Sequence, residues 1–275
     1  MRKNTDNAAT RATQKPPGRR TPARSAKFTV AVWLSRVLIV VVVIGGWQLL
    51  ASNEYWQLLL GRPSDVASRV GQWLVLPEFW DDLEQTVLEA LAGYALGVAV
   101  AVALVALILP LPSVSRFLAP YIAIANSLPK VALAPVFIIW FGISFNSKVY
   151  FVASAMFFIV FYGVHSGLRN IDRVYLDYLR LAGASILECI RDVYVPAIAG
   201  WLMTSLRVSA AWALTAAVIS EYIASNSGLG NRIAVAQQGL DPNAIVAGIL
   251  AVATLAIVAD RVLFRVERRF SAWKA

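Results

Sequence analysis

Six stretches of this chain are apolar over the roughly 20 residues that a helix needs to cross the hydrocarbon layer of a bilayer. They lie at about 30–51, 86–109, 117–141, 148–168, 200–223 and 243–264. Inside a bilayer every backbone N–H and C=O must be satisfied within the protein, which restricts runs of this kind to helices. The expected fold class is an all-α membrane protein with about six transmembrane helices. Composition agrees, since 59% of the 275 residues are hydrophobic and 15% charged, against about a quarter charged in soluble domains. The third stretch is interrupted by Pro129, Lys130 and Pro135. Backbone groups freed at such prolines must find partners inside a bundle.

Charge position sets the expected topology. The net charge of +9 alone would suit nucleic acid, but the basic residues sit beside apolar spans, where orientation and anionic lipid explain them better. Lys and Arg crowd the polar tail at 1–27, the C-terminus after residue 260 and the 169–199 loop. The 52–85 connection instead carries Glu54, Asp65, Glu78, Asp81, Asp82 and Glu84 against Arg62 and Arg69. The positive-inside rule then places both termini and the 169–199 loop in the cytoplasm. Three regions result: a disordered basic tail (1–27), a first span with an external segment (28–85), and a transmembrane domain (86–270) that carries the 169–199 loop. The N-terminus does not read as a secretory signal, because its apolar run is span-length and no small-residue cleavage site follows.

Several chemistries lose their basis. Cys189 is the only cysteine and His165 the only histidine. No intrachain disulfide is possible, and a Cys/His metal site or a Ser/His/Asp triad has little to build on. No cofactor or metal is expected, and no nucleic-acid partner. A phosphate loop of the G-x-x-x-x-G-K-[ST] type is absent, so ATP cannot be used by that route.

The 169–199 loop can be parsed locally. Asp172 is a good N-cap for a short helix over about 173–182, and Gly183 fits the left-handed position that stops it. Ser185 caps a second helix, with Glu188 three residues on completing a capping box. Pro196 ends that helix or opens span five. Both helices interleave apolar groups with charge, a pattern expected to dock on something. A two-helix connector lying on the inner leaflet has the same local pattern.

With the loop written as LDYLRLAGASILECIRDVYVPA, the chain resembles the permeases of ABC importers, whose loop reads EAA-x3-G-x9-I-x-L-P. Gly183 stands at the glycine, and Val193, Val195 and Pro196 at the I, L and P positions. Asp177, Tyr178 and Leu179 occupy the EAA positions, where only the acidic character is kept. The segments SLPKVALAPVFIIWFGIS, GLRNID, SEYIASNSGLGNRI and DRVLFRVERRFSAW extend the likeness over roughly 60–272, towards the nitrate/sulfonate/taurine/bicarbonate branch.

This resemblance implies a type I importer permease in a bacterial inner membrane. Two permease copies would form the pore, two ATPase subunits would bind the cytoplasmic loops, and an extracytoplasmic solute-binding protein would deliver solute. The implied coupling residues are Asp177, Leu179, Gly183, Ala184, Ser185, Glu188, Val193 and Pro196. The implied cargo is a small anion such as a sulfonate, taurine, nitrate or bicarbonate. An organic nutrient precursor related to thiamine or riboflavin is the alternative.

Ionisable groups at membrane depth are costly and therefore informative. Lys130, beside Ser127 in the broken span, is a candidate to attract an anionic solute, or else caps freed carbonyls or snorkels. Glu221 near the outer end of span five is a candidate for the translocation path, or else caps a re-entrant segment over SNSGLGNRI…AQQGLD. Glu89 is expected at the N-terminus of span two, where a negative charge is favourable. An ion-coupled secondary transporter would favour an internal repeat and several buried acids, and an intramembrane enzyme a clustered catalytic set. Neither accounts for the helix–Gly–helix loop.

Overall fold

Proline opens four of the long or mid-length helices in the computed structural model, which describes residues 26–108, 112–169, 171 and 173–271. A proline at the first helical turn loses no hydrogen bond and arrives with a helical φ. In chain order the helices are α1 (Ala26–Leu50), α2 (Glu54–Leu60), α3 (Pro63–Leu74), α4 (Pro77–Ile108), α5 (Pro112–Ser127) and α6 (Lys130–Phe141). They continue as α7 (Phe145–Arg169), α8 (Arg173–Leu181), α9 (Ile186–Cys189), α10 (Val195–Ile223), α11 (Leu229–Gln238) and α12 (Pro242–Ser271). No strand occurs among the described residues. Most of the expected basic tail (1–25) and the expected cap Asp172 lie outside them.

Five of these helices are long and apolar enough to cross a membrane, and a sixth span results if α5 and α6 count as one. The last turns of α5 and the whole of α6 meet at 91° across the Leu128–Pro129 break, so the interrupted third stretch is a bent pair. The second span begins at Pro77 rather than near 86. Much of the expected external segment is therefore helical, as α2, α3 and the first turns of α4.

By internal contacts the chain divides into two units, residues 1–49 and 50–275. In the first, α1 shows an apolar surface all round, with Val37 through Val43 each more than half exposed. Only lipid or another apolar surface suits such a helix.

In the second unit α7 is the central helix, packed between α4 and α10. Small residues let α4 approach it. A side chain built at Gly93 would meet Val152 Cβ at 2.5 Å, and one at Gly97 would meet the Ala153 carbonyl at 2.5 Å and Met156 Cβ at 2.7 Å. Hydrocarbon provides no hydrophobic force between helices, so this close dispersion contact is what holds them. Two apolar clusters fill the seams. One joins Ala90, Val152, Met156, Ala213 and Ala217, and the other Ala101, Val105, Val160, Phe161 and Val164. The end of the unit opposite the 169–199 loop is tied by polar contacts. Arg62 N–H donates to Asn243 Oδ1 at 2.9 Å, and Arg69 pairs with Asp241 at 2.7 Å.

Candidate functional site

The 169–199 loop folds largely as its residues dictate. After α8 the chain turns through Gly183, at φ +81°, a left-handed conformation that costs a side-chain-bearing residue roughly 1–2 kcal/mol. Ala184 N–H donates back to the Leu179 carbonyl and Ala182 N–H to that of Tyr178, both at 3.0 Å. These bonds absorb carbonyls that the helix end leaves open. Ser185 and Glu188 then form the reciprocal cap: Ser185 N–H and hydroxyl donate to Glu188 Oε2 at 2.7 and 2.8 Å, and Glu188 N–H donates to Ser185 Oγ at 3.4 Å. Asp177, Ser185 and Glu188 are exposed, while Leu179 and Ala184 are half-buried.

Pro196 does not break the chain between this loop and span five. Residues Ile190–Tyr194 form one π turn, in which Val195 N–H reaches back to the Ile190 carbonyl. Pro196 has no N–H to give, and its ring would crowd the carbonyl four residues earlier, so one wider turn relieves both. Val193 lies half-buried in that turn and Pro196 is exposed in the first turn of α10. The helix capped at Ser185 thus runs on without interruption into α10.

The other predicted residues lie elsewhere. Lys130 begins α6, where its ammonium donates to Asn126 Oδ1 at 3.1 Å and to the Asn126 carbonyl at 3.4 Å, and stands 5.3 Å over the Phe158 ring. The ammonium is thus half-buried against the last turn of α5 at the bend. Ser127 is exposed and returns its hydroxyl to the Ala123 carbonyl at 2.9 Å. Glu221 is not grouped with them by any of these bonds. It is fully buried at the far end of α10, in a polar cluster that sequence reasoning largely missed.

That cluster grows from one face of α4. Asp82, Gln85, Thr86 and Glu89 stand at i, i+3, i+4 and i+7 and so line up on a single side. Three successive N–H groups at the start of α11 point at side chains of α4 and α10. Gly228 N–H donates to Asp82 Oδ1 at 2.6 Å, Leu229 N–H to Thr86 Oγ at 3.0 Å, and Gly230 N–H to Glu221 Oε2 at 2.8 Å. Thr86 Oγ also lies 2.8 Å from Glu221 Oε1. Borrowed acids thus cap α11, whose dipole favours negative charge at this end. Gly228 has φ +98°, and a side chain there would run into the Glu221 carboxylate. Arg232, one turn into α11, closes an ion pair with Asp82 and lies over the rings of Trp73 (5.4 Å) and Phe79 (5.7 Å).

Deeper in the same face, Glu89 Oε1 accepts from Lys148 Nζ at 2.9 Å and from Gln85 Nε2 at 3.0 Å. Lys148, in the first turn of α7, also donates to Ser225 Oγ at 2.5 Å. The ion pair is sealed, with side-chain exposures of 4% and 0%, and Glu89 Oε2 has no partner among the described residues. Glu89 is therefore not at a helix N-terminus. Because α4 starts at Pro77, its carboxylate lies in the helix interior, and a cation on another helix neutralises it. The polar i, i+3, i+4, i+7 face across an otherwise apolar span was the available signal. The segment between spans five and six is a short loop followed by a regular helix, α11.

Comparison with known proteins fits this architecture. Residues 93–272 match the family model for the binding-protein-dependent transport system inner membrane component. The putative aliphatic sulfonates transport permease SsuC of Escherichia coli is 29% identical over 255 residues, 92% of this chain and 95% of that one. The riboflavin transport system permease RibX of Chloroflexus aurantiacus is 28% identical over 223 residues, covering 81% and 83%. The crystal structure of an amino acid ABC transporter has a subunit that superposes with a TM-score of 0.57 at 16% identity, over 70% of this chain and 94% of that one. With the family model spanning well over half of its length, the chain belongs to the binding-protein-dependent inner membrane components, the permeases of ABC transporters.

Proposed function

We propose that this chain forms the translocation path of an importer for a small organic anion of the sulfonate class, driven by ATP hydrolysis on a separate ATPase chain. The observation that carries the reading is the continuity of the 169–199 loop with α10. An exposed, capped docking helix that runs directly into a span is suited to receive a rigid-body stroke and pass it into the membrane. Asp177, Leu179, Gly183, Ala184, Ser185, Glu188, Val193 and Pro196 are assigned to that contact. The loop and both termini are assigned to the cytoplasm of a bacterial cell and the opposite end to the outside. A second copy of the chain completes the pore, and a solute-binding protein meets it from outside.

The bend between α5 and α6 is assigned to the solute path, with Lys130 as the cation that favours an anion and Ser127 beside it. Glu221 takes the structural alternative, capping α11. Support for a sulfonate comes from the SsuC relative. The RibX relative, of similar identity, supports a flavin-type solute as the second reading.

Affinity purification of the tagged chain from its native membrane is the direct test. An ATPase subunit and a solute-binding protein should co-purify, and reconstituted vesicles should take up an alkanesulfonate only with ATP. Uptake of riboflavin in place of the sulfonate would select the second reading. Uptake without any ATPase, driven by an ion gradient, would refute both.

A further inference from the structure

We infer that Lys148, with Glu89 and Ser225, is a positioning device that makes α11 and the loop before it move as one body with α4, α7 and the far end of α10. The inference rests on the transporter reading above and adds the element that delivers the stroke at the opposite end of the molecule.

The uninterrupted helix from Ile186 to Ile223 spans about 55 Å at 1.5 Å per residue, enough to connect the two ends of a membrane protein. Its last residues lead into Ala224–Ser227, a stretch without regular structure before α11 begins. A slack loop there would absorb any displacement arriving along the rod. The chain instead fastens that stretch. Ser225 Oγ takes the Lys148 ammonium at 2.5 Å, donates to the Ser227 carbonyl at 2.6 Å and accepts from Ser227 N–H at 3.3 Å. Lys148 in turn is held by Glu89, so α4, α7 and the loop meet at one ammonium group. The Asp82, Thr86 and Glu221 contacts to Gly228, Leu229 and Gly230 continue the same fastening into α11.

Stability is a poor explanation for this ion pair. Burying two charges removes their hydration, and a hydrophobic pair of similar volume commonly holds a bundle equally well or better. Glu89 Oε2 is left without a partner among the described residues, which adds cost to the arrangement. What a hydrophobic pair could not do is hold the Ser225 hydroxyl. The ammonium has three donors on one atom, two of which join Glu89 and Ser225, and that is a directional link between two helices and a loop. α11 in turn lines an open cleft with Trp73, Arg232 and Asp241, on the end of the bundle away from Gly183. A stroke entering at Ser185 and Glu188 is therefore presented at that cleft.

The test uses the complete complex of this chain, its ATPase and its binding protein in lipid nanodiscs, with ethanesulfonate as the probe solute. Ser225→Ala removes the loop's hold on Lys148 and leaves the ion pair intact. Lys148→Met with Glu89→Leu removes the link and leaves no unpaired charge. Both variants should assemble with the ATPase and keep its basal rate. Stimulation of ATP hydrolysis by the solute-loaded binding protein should fall by about tenfold, a typical inter-site coupling. Ser225→Thr, which keeps the hydroxyl, should restore it. Stimulation unchanged in both variants would overturn the inference, as would a parallel fall of basal and stimulated rates, the mark of a merely structural role. A wild-type chain that recruits no ATPase would overturn the transporter reading and this inference together.

Discussion

Removing Lys148 should damage this protein more than removing Lys148 and Glu89 together. The two side chains are 4% and 0% exposed and 2.9 Å apart, so water cannot take over from a missing partner. In Lys148→Met the Glu89 carboxylate keeps only the Gln85 amide, 3.0 Å away, and a buried charge left in that state costs about 3–5 kcal/mol. Glu89→Leu leaves the ammonium with Ser225 alone and should cost a similar amount. The Lys148→Met/Glu89→Leu double variant replaces a buried ion pair by apolar groups of comparable size, which is commonly neutral or better. A unit of this size loses about 2–4 °C per kcal/mol, so each single variant should melt roughly 10 °C below wild type and the double close to it. Heating membrane proteins is often irreversible, so the order of melting temperatures in detergent, followed by tryptophan fluorescence at one scan rate, is the readout. Single losses that simply add in the double would refute the reasoning, because the two charges would then not be neutralising each other. A Lys148→Met variant that melts with wild type would refute it as well.

Substitutions at four further positions test other links. Gly97→Val must push α4 away from α7, because even its Cβ would meet the Ala153 carbonyl at 2.5 Å; overpacking of about 1–3 kcal/mol is expected, read as a lower melting temperature, whereas Gly45→Ala, with open space around it, should be silent. Gly183→Asn should preserve co-purification of the ATPase and Gly183→Pro should abolish it, since the ring holds φ near −65° where the turn needs +81°; normal co-purification with the proline variant would count against the loop as docking element. Lys130→Gln should insert normally and keep basal ATP hydrolysis in the complex, yet slow sulfonate uptake by about tenfold if a cation at the bend steadies the anion; unchanged uptake would remove Lys130 from the path.

Much of this fold could be read from the chain because lipid and local hydrogen bonding each impose strong rules. Span length located five helices, although the start of α4 and the end of α12 lie well outside the expected bounds. Gly183, Ser185 and Glu188 declared their turn and cap outright, since both depend on groups only a few residues apart. Errors arose where the deciding partner was distant in sequence. The start of α4 was placed too late because Asp81, Asp82 and Glu84 interrupt the apolar run, whereas the helix begins at Pro77 and its Asp82 answers Arg232, 150 residues on. Glu89 looked like a helix-end charge for the same reason, and Lys148 like the edge of a span. Neither residue names the other, and only the fold brings them to 2.9 Å.

The two ends of the bundle meet their polar requirements differently, and that difference bears on what each can do. Around Gly183 the hydrogen bonds are local: Ala184 to Leu179, Ser185 to Glu188. Such a loop keeps its shape whatever its surroundings are, and its exposed residues stay free to meet another protein. At the far end of α10 several bonds cross between elements: α4 to α10, α4 and α10 to α11, and α7 to α4 and to the loop. Cross-element bonds in a water-poor interior are costly to break singly, because each leaves a polar group unsatisfied. The elements they join therefore shift together or not at all. A self-supporting contact at one end and a cross-braced block at the other, joined by one helix, is what rigid-body transmission across a membrane requires. The Ser225→Ala variant separates these two properties, since it loosens the block and leaves the loop around Gly183 untouched.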